Sequence, residues 1–535
     1  MNAFKIVLLT LTLFLLVGCR LAQSEPLPVV PTATTLRVVQ TTPVPTVERA
    51  LHTLPPAATS VAQAEIPLEP SESTPCEATA GLPGTLHTIT ADIDYAQHTV
   101  YAQQRTRFIN RTNEPLAQIV FFVEPNRIPE VFTLQNASLV NAELTAYELT
   151  GRRLVLDLAA PLAPGCTAEI DLTFQIAVPA IGTGLAGFTG YFGYNQRQLN
   201  LGYWLPTIAV RSGGDWVTHD VIAIGEQVVA EVADWDVTLN IANAPDGLRV
   251  AAPGSIERPD SDTWRFQIAG ARNFTASMSY AFTVLSQQAA NGTMIEIYAF
   301  DDSMIDIEGQ RVDTAAVALD AAAVSLAMYA DLFGDYPFER FVLVQGDFPD
   351  GMEFHGFAFV SSDWFRTYTG SPESYLTIIT IHEVAHQWWY ASVGNDQAVT
   401  PWLDEALATY SEYIYYEEYH PELRDWWWRF RVSQFVPANF TGKSVDSTVY
   451  EFSSIREYIN AVYLRGASML HQLRDDVGTD AFFAWLRRYA EAGEGRVATP
   501  DLFWSLLTDE QRELTRETRT DYLSPDALAV SEAIE

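Results

Sequence analysis

The sequence predicts an α+β multidomain protein, in which an N-terminal all-β sandwich or saddle domain precedes an α+β domain. Short β-branched and aromatic runs fill the first part of the chain, and helical periodicity begins after residue 300. With 535 residues, 48% of them hydrophobic, the chain is long enough for two or three domains with sizeable cores. The composition is therefore that of a folded globular protein.

The charge balance argues against one class of partner. The chain has 67 acidic and 32 basic residues, which gives a formal net charge of −35. Nucleic-acid binding needs a basic patch that contacts phosphates, and no such patch stands out, so we expect no nucleic-acid partner. We interpret the surplus acid as a solvating surface, which bears on solubility and not on activity.

Residues 1–19 are predicted to form a lipoprotein signal peptide that ends at Cys19. Lys5 supplies a short basic region, and an apolar run extends from Ile6 to Val17. This run is too short to span a bilayer but suits a signal sequence. The stretch "LVGC" resembles the lipobox of bacterial lipoproteins, in which the cysteine is lipidated after cleavage. We expect an exported lipoprotein on the extracytoplasmic face of the cell membrane; a plain signal peptide is the alternative.

Residues 20–75 are predicted to be a tether that holds the folded part away from the membrane. The segment is rich in Pro, Thr, Ala and Ser and has no apolar periodicity. A propeptide or a strand-rich extension is the alternative.

Residues 76–300 are predicted to be the all-β domain. Runs such as "HTVYAQQRTRFIN", "QIVFFVEP" and "DWDVTLNIA" have strand composition, and turn signals such as "NRTNEP" and "APDG" separate them. Many such runs without a helical period indicate a large sandwich or saddle of antiparallel sheet. No residue with an evident catalytic role stands out in this part.

Residues 301–510 are predicted to be an α+β catalytic domain, followed by a polar tail over 511–535. The Ala-rich stretch from Val312 to Phe333 has helical spacing, and Gly334 supplies a stop. The runs "RFVLVQGDF" and "GFAFVSS" are predicted strands, and helices follow them. This order favours a small mixed sheet covered by helices.

The stretch "TIHEVAHQWW" (residues 380–389) carries the candidate metal ligands. On a helix, His382 and His386 share one face and lie about 6 Å apart along the axis, so both imidazoles can bind one ion. A catalytic zinc needs a third protein ligand and an open position for water. Pro401 interrupts the helix, and Glu405 near the start of the next helix is the predicted third ligand. We therefore expect one zinc ion per chain, although another divalent metal remains an alternative.

The spacing HExxH-x18-E resembles the signature of the gluzincin zinc aminopeptidases, the family of membrane alanyl aminopeptidase and leukotriene hydrolase. The segment "PWLDEALATY" resembles the family's third-ligand segment, with Asp404 and Ala406 where Asn and Gly are usual. The resemblance covers roughly residues 86–510 and implies a thermolysin-like α+β peptidase fold for the second domain. It also implies that the large C-terminal helical domain of many members is missing, which would leave a more open cleft.

Two further segments resemble the same family and imply roles for particular residues. In "AVYLRGASML", Tyr463 takes the place of the catalytic tyrosine, and Arg465 replaces the usual Lys. This tyrosine would donate a hydrogen bond to the oxyanion formed on the substrate. Glu383, which follows the first histidine, is suited to act as the general base that takes a proton from water.

The stretch "DGMEFHG" (residues 350–356) resembles the Gly-x-Met-Glu-Asn exopeptidase motif. Gly351, Met352 and Glu353 are the predicted substrate-binding residues, while Asp350 and Phe354 replace the family's Gly and Asn. A carboxylate at this place would hold a free α-ammonium group near the metal, so that only the first peptide bond reaches it. The predicted function is release of N-terminal residues from peptides.

Two other functions stay open at the level of sequence. A zinc endopeptidase would keep the metal and Glu383 but would not need Glu353. A non-catalytic peptide-binding lipoprotein would tolerate damaged ligands, and none of the three ligands is damaged. We interpret His355 as a lining residue, and "RDWWWRFRV" (residues 424–432) as a helix that packs an aromatic surface, with a ligand-binding box as the alternative. The oligomeric state is not predicted.

The two cysteines that remain after lipidation, Cys76 and Cys166, are predicted to form a disulfide. An exported chain folds in an oxidising compartment, where an even number of cysteines favours pairing; two unpaired buried thiols are the alternative. The measurement is the mass of the denatured protein after alkylation, with and without prior reduction. Alkylation of both cysteines only after reduction is expected, and equal masses would refute the pairing.

Overall fold

The computed structural model describes residues 84–140, 142–182 and 189–533. These residues lie within one compact unit spanning Thr74–Glu535. The predicted α+β multidomain class is confirmed, because strands fill the first part and helices dominate the second. The predicted signal peptide, the tether, Cys19 and Cys76 lie outside the described residues. Cys166 is disulfide-bonded, but its pairing with Cys76 stays a prediction.

The strands of the first part form where the alternation of apolar and polar residues predicts them. In β2 almost every second side chain is buried, as expected for a strand with one face on a core. The bounds are β1 Leu86–Asp94, β2 Thr99–Ile109, β3 Leu116–Phe122, β4 Phe132–Leu139, β5 Leu144–Thr150, β6 Arg153–Leu162, β7 Thr167–Ala177, β8 Phe192–Tyr194, β9 Leu199–Leu201, β10 Thr207–Ile208, β11 Arg211–Ser212, β12 Asp215–Trp216, β13 Ala233–Ala242, β14 Arg249–Ala251, β15 Ser255–Glu257, β16 Thr263–Ala271 and β17 Ala276–Ser279.

These strands form packed sheets with largely antiparallel pairing. The largest has the order β15-β16-β13-β1-β2-β7-β4, and two smaller sheets have the orders β10-β3-β6-β5 and β14-β17-β9-β8. Strands β1 and β13 pair in parallel, with Ile89 opposite Val237. Phe174 from the largest sheet and Phe121 and Leu154 from the second belong to one apolar core. The arrangement agrees with the sandwich or saddle that the sequence predicts.

A mixed sheet and a set of helices form the second part. The sheet has the order β18-β19-β22-β24-β23, in which β22 pairs in parallel with both β19 and β24. The strand bounds are β18 Thr283–Gln288, β19 Met294–Ala299, β20 Met304–Ile307, β21 Gln310–Asp313, β22 Arg340–Gly346, β23 Gly351–Phe354 and β24 Phe357–Ser361. The helix bounds are α1 Thr314–Phe333, α2 Ser362–Arg366, α3 Tyr375–Ala385, α4 Trp402–Tyr419, α5 Arg424–Trp427, α6 Ile455–Tyr458, α7 Arg465–Val477, α8 Thr479–Gly493, α9 Pro500–Ser505, α10 Asp509–Leu514, α11 Arg516–Tyr522 and α12 Pro525–Glu532, with π-helical turns at Trp428–Ser433 and Ile459–Leu464.

The mixed sheet joins the two parts because one of its faces packs into the core of the β-rich part and the other packs against the helices. In β22, Val342 and Val344 pack into the core of the β-rich part. Phe341 and Leu343, one residue out of phase, pack against the helices. Because successive side chains of a strand point to opposite faces, each strand of this sheet presents alternate residues to the β-rich part and to the helices.

Helix α1 shows how local signals set the bounds of an element. Asp313 caps its N-terminus by accepting a hydrogen bond from the backbone N–H of Ala315 at 3.0 Å. Gly334 follows its last residue with a φ of 122°. By length and composition alone this helix could cross a membrane, with a mean hydropathy of 1.6, but 67% of its most apolar window is buried inside the fold. Such burial is typical of a core helix.

The C-terminal residues differ from the polar tail that the sequence predicts. Helices continue as far as Glu532, and Leu523 packs in the core of the helices. Arg519 is 1% exposed and donates to the hydroxyl of Ser531 at 2.7 Å and to the carbonyl of Arg512 at 2.6 Å. Hydrogen bonds to a buried guanidinium stabilise this segment where apolar residues are few. The other predicted domain boundaries stay predictions.

Arg272 joins the β-rich part to the second part through hydrogen bonds. Its side chain is 2% exposed, and burial lowers its pKa to about 10. The guanidinium donates to the backbone carbonyls of Tyr390, Ala391, Ala230, Ser392 and Arg496 at 2.6–3.0 Å. A Cβ atom at Gly394 would lie 2.3 Å from its Cζ atom, so only glycine fits beside it.

Replacing Arg272 is expected to destabilise the fold strongly. Arg272→Met would leave several buried carbonyls unpaired, at about 1–3 kcal/mol for each. We therefore expect the free energy of unfolding to fall by roughly 3 kcal/mol or more, measured as a lower midpoint of urea unfolding. Arg265→Met is the matched control, because Arg265 pairs with Asp236 on the surface and its loss should change the urea midpoint only slightly. Equal shifts for the two variants would contradict this role of Arg272.

Candidate metal centre and active site

Helix α3 presents the two histidines on one face, as the sequence predicts. Ser374 caps its start by accepting from the N–H of Thr377 at 3.3 Å. His386 directly follows the last helical residue, keeps helical φ and ψ of −62° and −9°, and donates its N–H to the carbonyl of His382 at 3.2 Å. The two Nε2 atoms consequently lie 3.1 Å apart.

Acceptors on the far side of both rings set their protonation. Nδ1 of His382 lies 2.8 Å from Oε1 of Glu412, and Nδ1 of His386 lies 2.8 Å from the backbone carbonyl of Trp389. Because each Nδ1 faces an oxygen that can only accept, Nδ1 carries the proton in the neutral imidazole. Both Nε2 lone pairs then point into the same space, as required of two ligands of one metal ion.

Glu405, in the first turn of α4, completes the predicted ligand set. Its Oε2 atom lies 3.3 Å from Nε2 of His382 and 3.6 Å from Nε2 of His386. Within the described residues, these three side chains are the group of His, Cys, Asp and Glu that could hold a metal ion, with ligand atoms within 4.8 Å of one another. Two imidazole nitrogens and a carboxylate oxygen are a donor set of catalytic zinc. The residues present therefore fit the ion.

Hydrogen bonding and charge favour a cation at this centre. Oε2 of Glu405 is buried without a hydrogen-bond partner in the part of the chain that the structure describes. Burial opposes ionisation of Glu405, but the imidazoles of His382 and His386 outweigh it and lower its pKa. A buried, ionised carboxylate has lost its stabilising interactions with water, and a bound metal ion would replace them.

Glu383 lies beside the three ligands and close to the strand β23. It is 4% exposed, and its Oε2 atom has no hydrogen-bond partner among the described residues. A Cβ atom at Gly351 would lie 2.1 Å from its Oε1 atom, so the backbone of β23 approaches this carboxylate closely. Burial raises the pKa of Glu383 well above its usual value, and the charges of Glu353 and Glu405 raise it further. A raised pKa suits a group that must accept a proton.

Because side chains alternate between the two faces of β23, Glu353 points to the face that carries the metal centre. Met352 and Phe354 pack into the apolar core of the β-rich part, so Glu353 between them faces α3. Its Oε1 atom accepts from Nε2 of Gln397 at 2.9 Å. Burial raises the pKa of Glu353. The substrate contact predicted for Met352 stays a prediction.

The two departures from the exopeptidase motif have structural explanations. Phe354 is fully buried and lies against Tyr191 and Tyr203 of the β-rich part, with ring centroids 6.0 and 4.9 Å away. It therefore acts in the core. Asp350 adopts a φ of 68° without being glycine, a conformation that a short polar side chain tolerates better than most.

Tyr463 lies beside the first histidine, as its predicted role requires. Its ring is stacked on that of His382, with centroids 6.1 Å apart and planes within 4°, and Tyr458 contacts it edge-on at 5.4 Å. Burial and the neighbouring charge of Glu405 raise the pKa of Tyr463 well above its usual value. The phenol therefore stays protonated and can donate a hydrogen bond. It lies in the π-helical turn Ile459–Leu464, a distortion that is frequent at functional sites.

The structure adds residues that the sequence analysis missed. Glu412 is fully buried and lies seven residues after Glu405 on α4; this spacing of two turns on one face was the available signal. Glu226 belongs to the loop between β12 and β13, and no local pattern marks it. Burial raises the pKa of Glu226 well above its usual value, and Glu353, Glu405 and Asp404 raise it further.

His355 is not part of the ligand group, and its interpretation as a lining residue of the site stays a prediction. Its Nδ1 atom accepts the backbone N–H of Arg272 at 3.2 Å, and its ring lies 4.9 Å from that of Phe338. Burial lowers its pKa to about 3. His355 therefore stays neutral and has a structural role at the junction of the two parts.

Comparison with known proteins agrees with this geometry. Residues 317–520 match the family model described as the peptidase family M1 domain. This confirms the resemblance to the gluzincin zinc aminopeptidases. The matched segment contains all three candidate ligands, Glu383, Glu353 and Tyr463.

Similar proteins are found both by sequence and by fold. Endoplasmic reticulum aminopeptidase 1 of Mus musculus is 31% identical over 222 residues, which are 39% of this chain and 23% of the relative. Aminopeptidase M1-D of Oryza sativa subsp. japonica is 24% identical over 222 residues, 38% of this chain and 25% of the relative. The chain therefore spans about a quarter of the length of these M1 relatives.

The fold similarity extends over both parts of the chain. The M1 zinc metallopeptidase of Deinococcus radiodurans shares 17% sequence identity, with a TM-score of 0.54 over 84% of this chain and 92% of that chain. A variant of that enzyme bound to the substrate Tyr-Ser-Ala is similar over the same shares, with a TM-score of 0.55 and 17% identity. The fold similarity thus includes both the β-rich part and the segment that matches the M1 family model.

Substitution of Gly351 tests the close approach of β23 to Glu383. In Gly351→Ala the new methyl group would displace the Glu383 carboxylate, and a shift of about 1 Å can cost 10²-fold in rate. We expect the peptide-cleaving activity of an M1 domain to fall by about that factor, measured as kcat/KM, while zinc content stays unchanged. Gly84→Ala is the control, since its nearest atom would lie at an ordinary 3.7 Å. Wild-type activity in Gly351→Ala would contradict the inferred contact.

Proposed function

We propose that this protein is a zinc-dependent aminopeptidase that releases N-terminal residues from peptides. The observation that carries the proposal is the convergence of His382, His386 and Glu405 with a second carboxylate, Glu353, on the same side of the mixed sheet. Relatives named aminopeptidases are similar to this chain over 222 residues, and a fold neighbour was solved with the substrate Tyr-Ser-Ala. Both facts support the proposal.

His382, His386 and Glu405 would hold one zinc ion. When bound in such a site, zinc supplies Lewis acidity towards a water molecule and a carbonyl oxygen. A catalytic zinc site uses three protein ligands and one open position, and three ligands are available here. Glu412 and the carbonyl of Trp389 keep the imidazoles oriented through their Nδ1 atoms.

Glu383 and Tyr463 carry the proton transfer and the charge stabilisation. Glu383 accepts a proton from the attacking water at Oε2, its oxygen without a hydrogen-bond partner among the described residues, and delivers it to the leaving amine. Tyr463 donates its phenolic hydrogen to the oxyanion that develops on the scissile carbonyl. Loss of one such donor costs about 10²–10³ in rate.

Glu353 and Glu226 bind the free amino terminus of the substrate. Burial and the neighbouring carboxylates raise the pKa values of both groups, since mutual repulsion and lost hydration disfavour two charges in one place. An α-ammonium group relieves that repulsion and donates charge-assisted hydrogen bonds to the carboxylate oxygens of both residues. The bound terminus limits the reach of the chain, so only the first peptide bond arrives at the metal centre.

We also propose that the protein acts at the extracytoplasmic face of the cell membrane. The signal-like residues 1–19, the lipobox-like "LVGC" and the Pro-rich segment 20–75 support an anchor on Cys19 and a tether. The partners are then the membrane, through the lipid, and peptides with a free N-terminus.

The decisive experiment compares one peptide with a free and with an acetylated N-terminus, using the zinc-loaded full chain. We expect cleavage of the free peptide alone. In Glu353→Gln, kcat/KM should fall by about 10- to 100-fold, because a hydrogen bond to a charged group contributes roughly 1.5–3 kcal/mol. Glu422→Gln, a surface control with a side chain that is 67% exposed, should leave kcat/KM unchanged.

Two other results would overturn the proposal. Equal cleavage of the free and the acetylated peptide would indicate a zinc endopeptidase in which Glu353 does not bind substrate. Cleavage of neither peptide by protein with one bound zinc would favour a peptide-binding lipoprotein without catalysis.

A further inference from the structure

The aromatic stretch "RDWWWRFRV" lies against the metal centre, although its composition suggests only packing. It forms α5 and the π-helical turn Trp428–Ser433, which continues directly from it. Trp427 is fully buried and the side chain of Arg431 is 13% exposed. These two residues are four apart, so a helical backbone places them on one face. That face is turned towards α4.

Both residues converge on Glu412. Its Oε2 atom accepts from Nε1 of Trp427 at 3.1 Å and from Nε of Arg431 at 3.0 Å. Its Oε1 atom accepts from Nη2 of Arg431 at 3.0 Å and lies 2.8 Å from Nδ1 of His382. The carboxylate therefore has four polar neighbours and no exposed surface.

The guanidinium forms the planar two-point contact that suits a carboxylate. Nε and Nη2 of Arg431 each bind a different oxygen of Glu412, which fixes the carboxylate plane as well as its charge. Trp427 adds a donor that is itself immobilised by the core. The indole N–H of Trp427 and the two N–H groups of Arg431 fix the orientation of the Glu412 carboxylate. In this orientation Oε1 of Glu412 can accept a hydrogen bond from Nδ1 of His382.

A buried carboxylate next to His382 needs a compensating charge. Without Arg431, Glu412 would be an unpaired buried anion, which is strongly unfavourable. It would then be free to turn away from Nδ1 of His382 towards other partners. The ring of His382 would lose the contact that fixes the direction of its Nε2 atom. With Arg431 in place, the two charges balance and Oε1 of Glu412 stays 2.8 Å from Nδ1 of His382.

We propose that Arg431 and Trp427 are positioning residues for the metal centre, which act through Glu412 on His382 and thereby set the affinity of the site for zinc. The inference rests on the zinc-binding part of the proposed function and not on its substrate. The relay runs from the π-helical turn to the ligand: Arg431 and Trp427 hold Glu412, and Glu412 holds Nδ1 of His382.

Arg431 lies within the π-helical turn Trp428–Ser433. In this turn Gln434 donates its N–H to the carbonyl of Arg429, five residues earlier, at 3.4 Å. Such turns are frequent at functional sites.

The test measures the zinc dissociation constant of the full chain by competition with a chromophoric chelator at fixed pH. Loss of a hydrogen-bond partner behind a metal-ligating histidine typically weakens metal binding by 10- to 100-fold. We expect a change of that size in Arg431→Gln and a smaller one in Arg431→Lys, which restores the charge but not the two-point contact. Trp427→Phe, which removes only the indole and its N–H, should weaken binding several-fold.

Arg429→Gln is the matched control, because Arg429 is exposed on the same turn and bonds only the carbonyl of Asp425, at 3.2 Å, in the described contacts. Its zinc affinity should equal that of the wild type. The thermal midpoint of zinc-free protein is measured in parallel. A variant that lowers this midpoint but keeps wild-type zinc affinity would overturn the proposal, since Arg431 would then be structural only.

The remaining outcomes are also decisive. Equal weakening in Arg429→Gln and Arg431→Gln would overturn the relay. If Arg431→Gln does not fold, Trp427→Phe decides, and unchanged affinity in that variant would sink the idea. A wild-type chain that binds no zinc would contradict the proposed function itself. A chain that binds zinc tightly but cleaves no peptide would leave the relay standing and refute only the activity.

Discussion

The structure depends on the set of hydrogen bonds around the Arg272 guanidinium. This side chain belongs to the β-rich part, yet its acceptors include carbonyls of residues 390–392, directly after the metal-binding helix. Tyr390 has a φ of 127°, a strained conformation that persists only when surrounding contacts hold it. The carbonyl of Trp389, one residue earlier, orients His386. Arg272 thus joins the two parts and stabilises the turn at residues 390–392, which follows the candidate ligand His386.

The second constraint is electrostatic. Burial and the charges of neighbouring carboxylates raise the pKa values of Glu226, Glu353, Glu383 and Asp404. A fold tolerates such a cluster only when cations compensate it. A divalent metal and a substrate ammonium are cations of the required kind. In the proposed function, the same cluster of carboxyl groups would favour both a metal ion and the ammonium group of a substrate.

Several features of the site could be predicted because they are local. The i, i+4 spacing of His382 and His386 puts both on one face of any helix, and Pro401 places a helix start just before Glu405. Other features could not be predicted, because they depend on distant contacts. Met352 and Phe354 enter the core of the β-rich part, and Glu226 arrives from a loop that carries no motif. The C-terminal residues were predicted to be a polar tail, because the hydrogen bonds that bury Arg519 are invisible in composition.

The sequence by itself determined the α+β class, the order of the two parts and the identity of the ligand set. Each follows from periodicities of two or about 3.6 residues or from a short spacing, and these act within one element. The tertiary structure alone decided which groups hydrogen-bond to the candidate metal-ligating histidines. Glu412 contacts Arg431 and Trp427 across two helical segments, and Arg272 bridges residues more than a hundred positions apart. Such contacts form only when elements pack against each other. Buried polar groups then need hydrogen-bond partners, and these partners come from distant parts of the sequence.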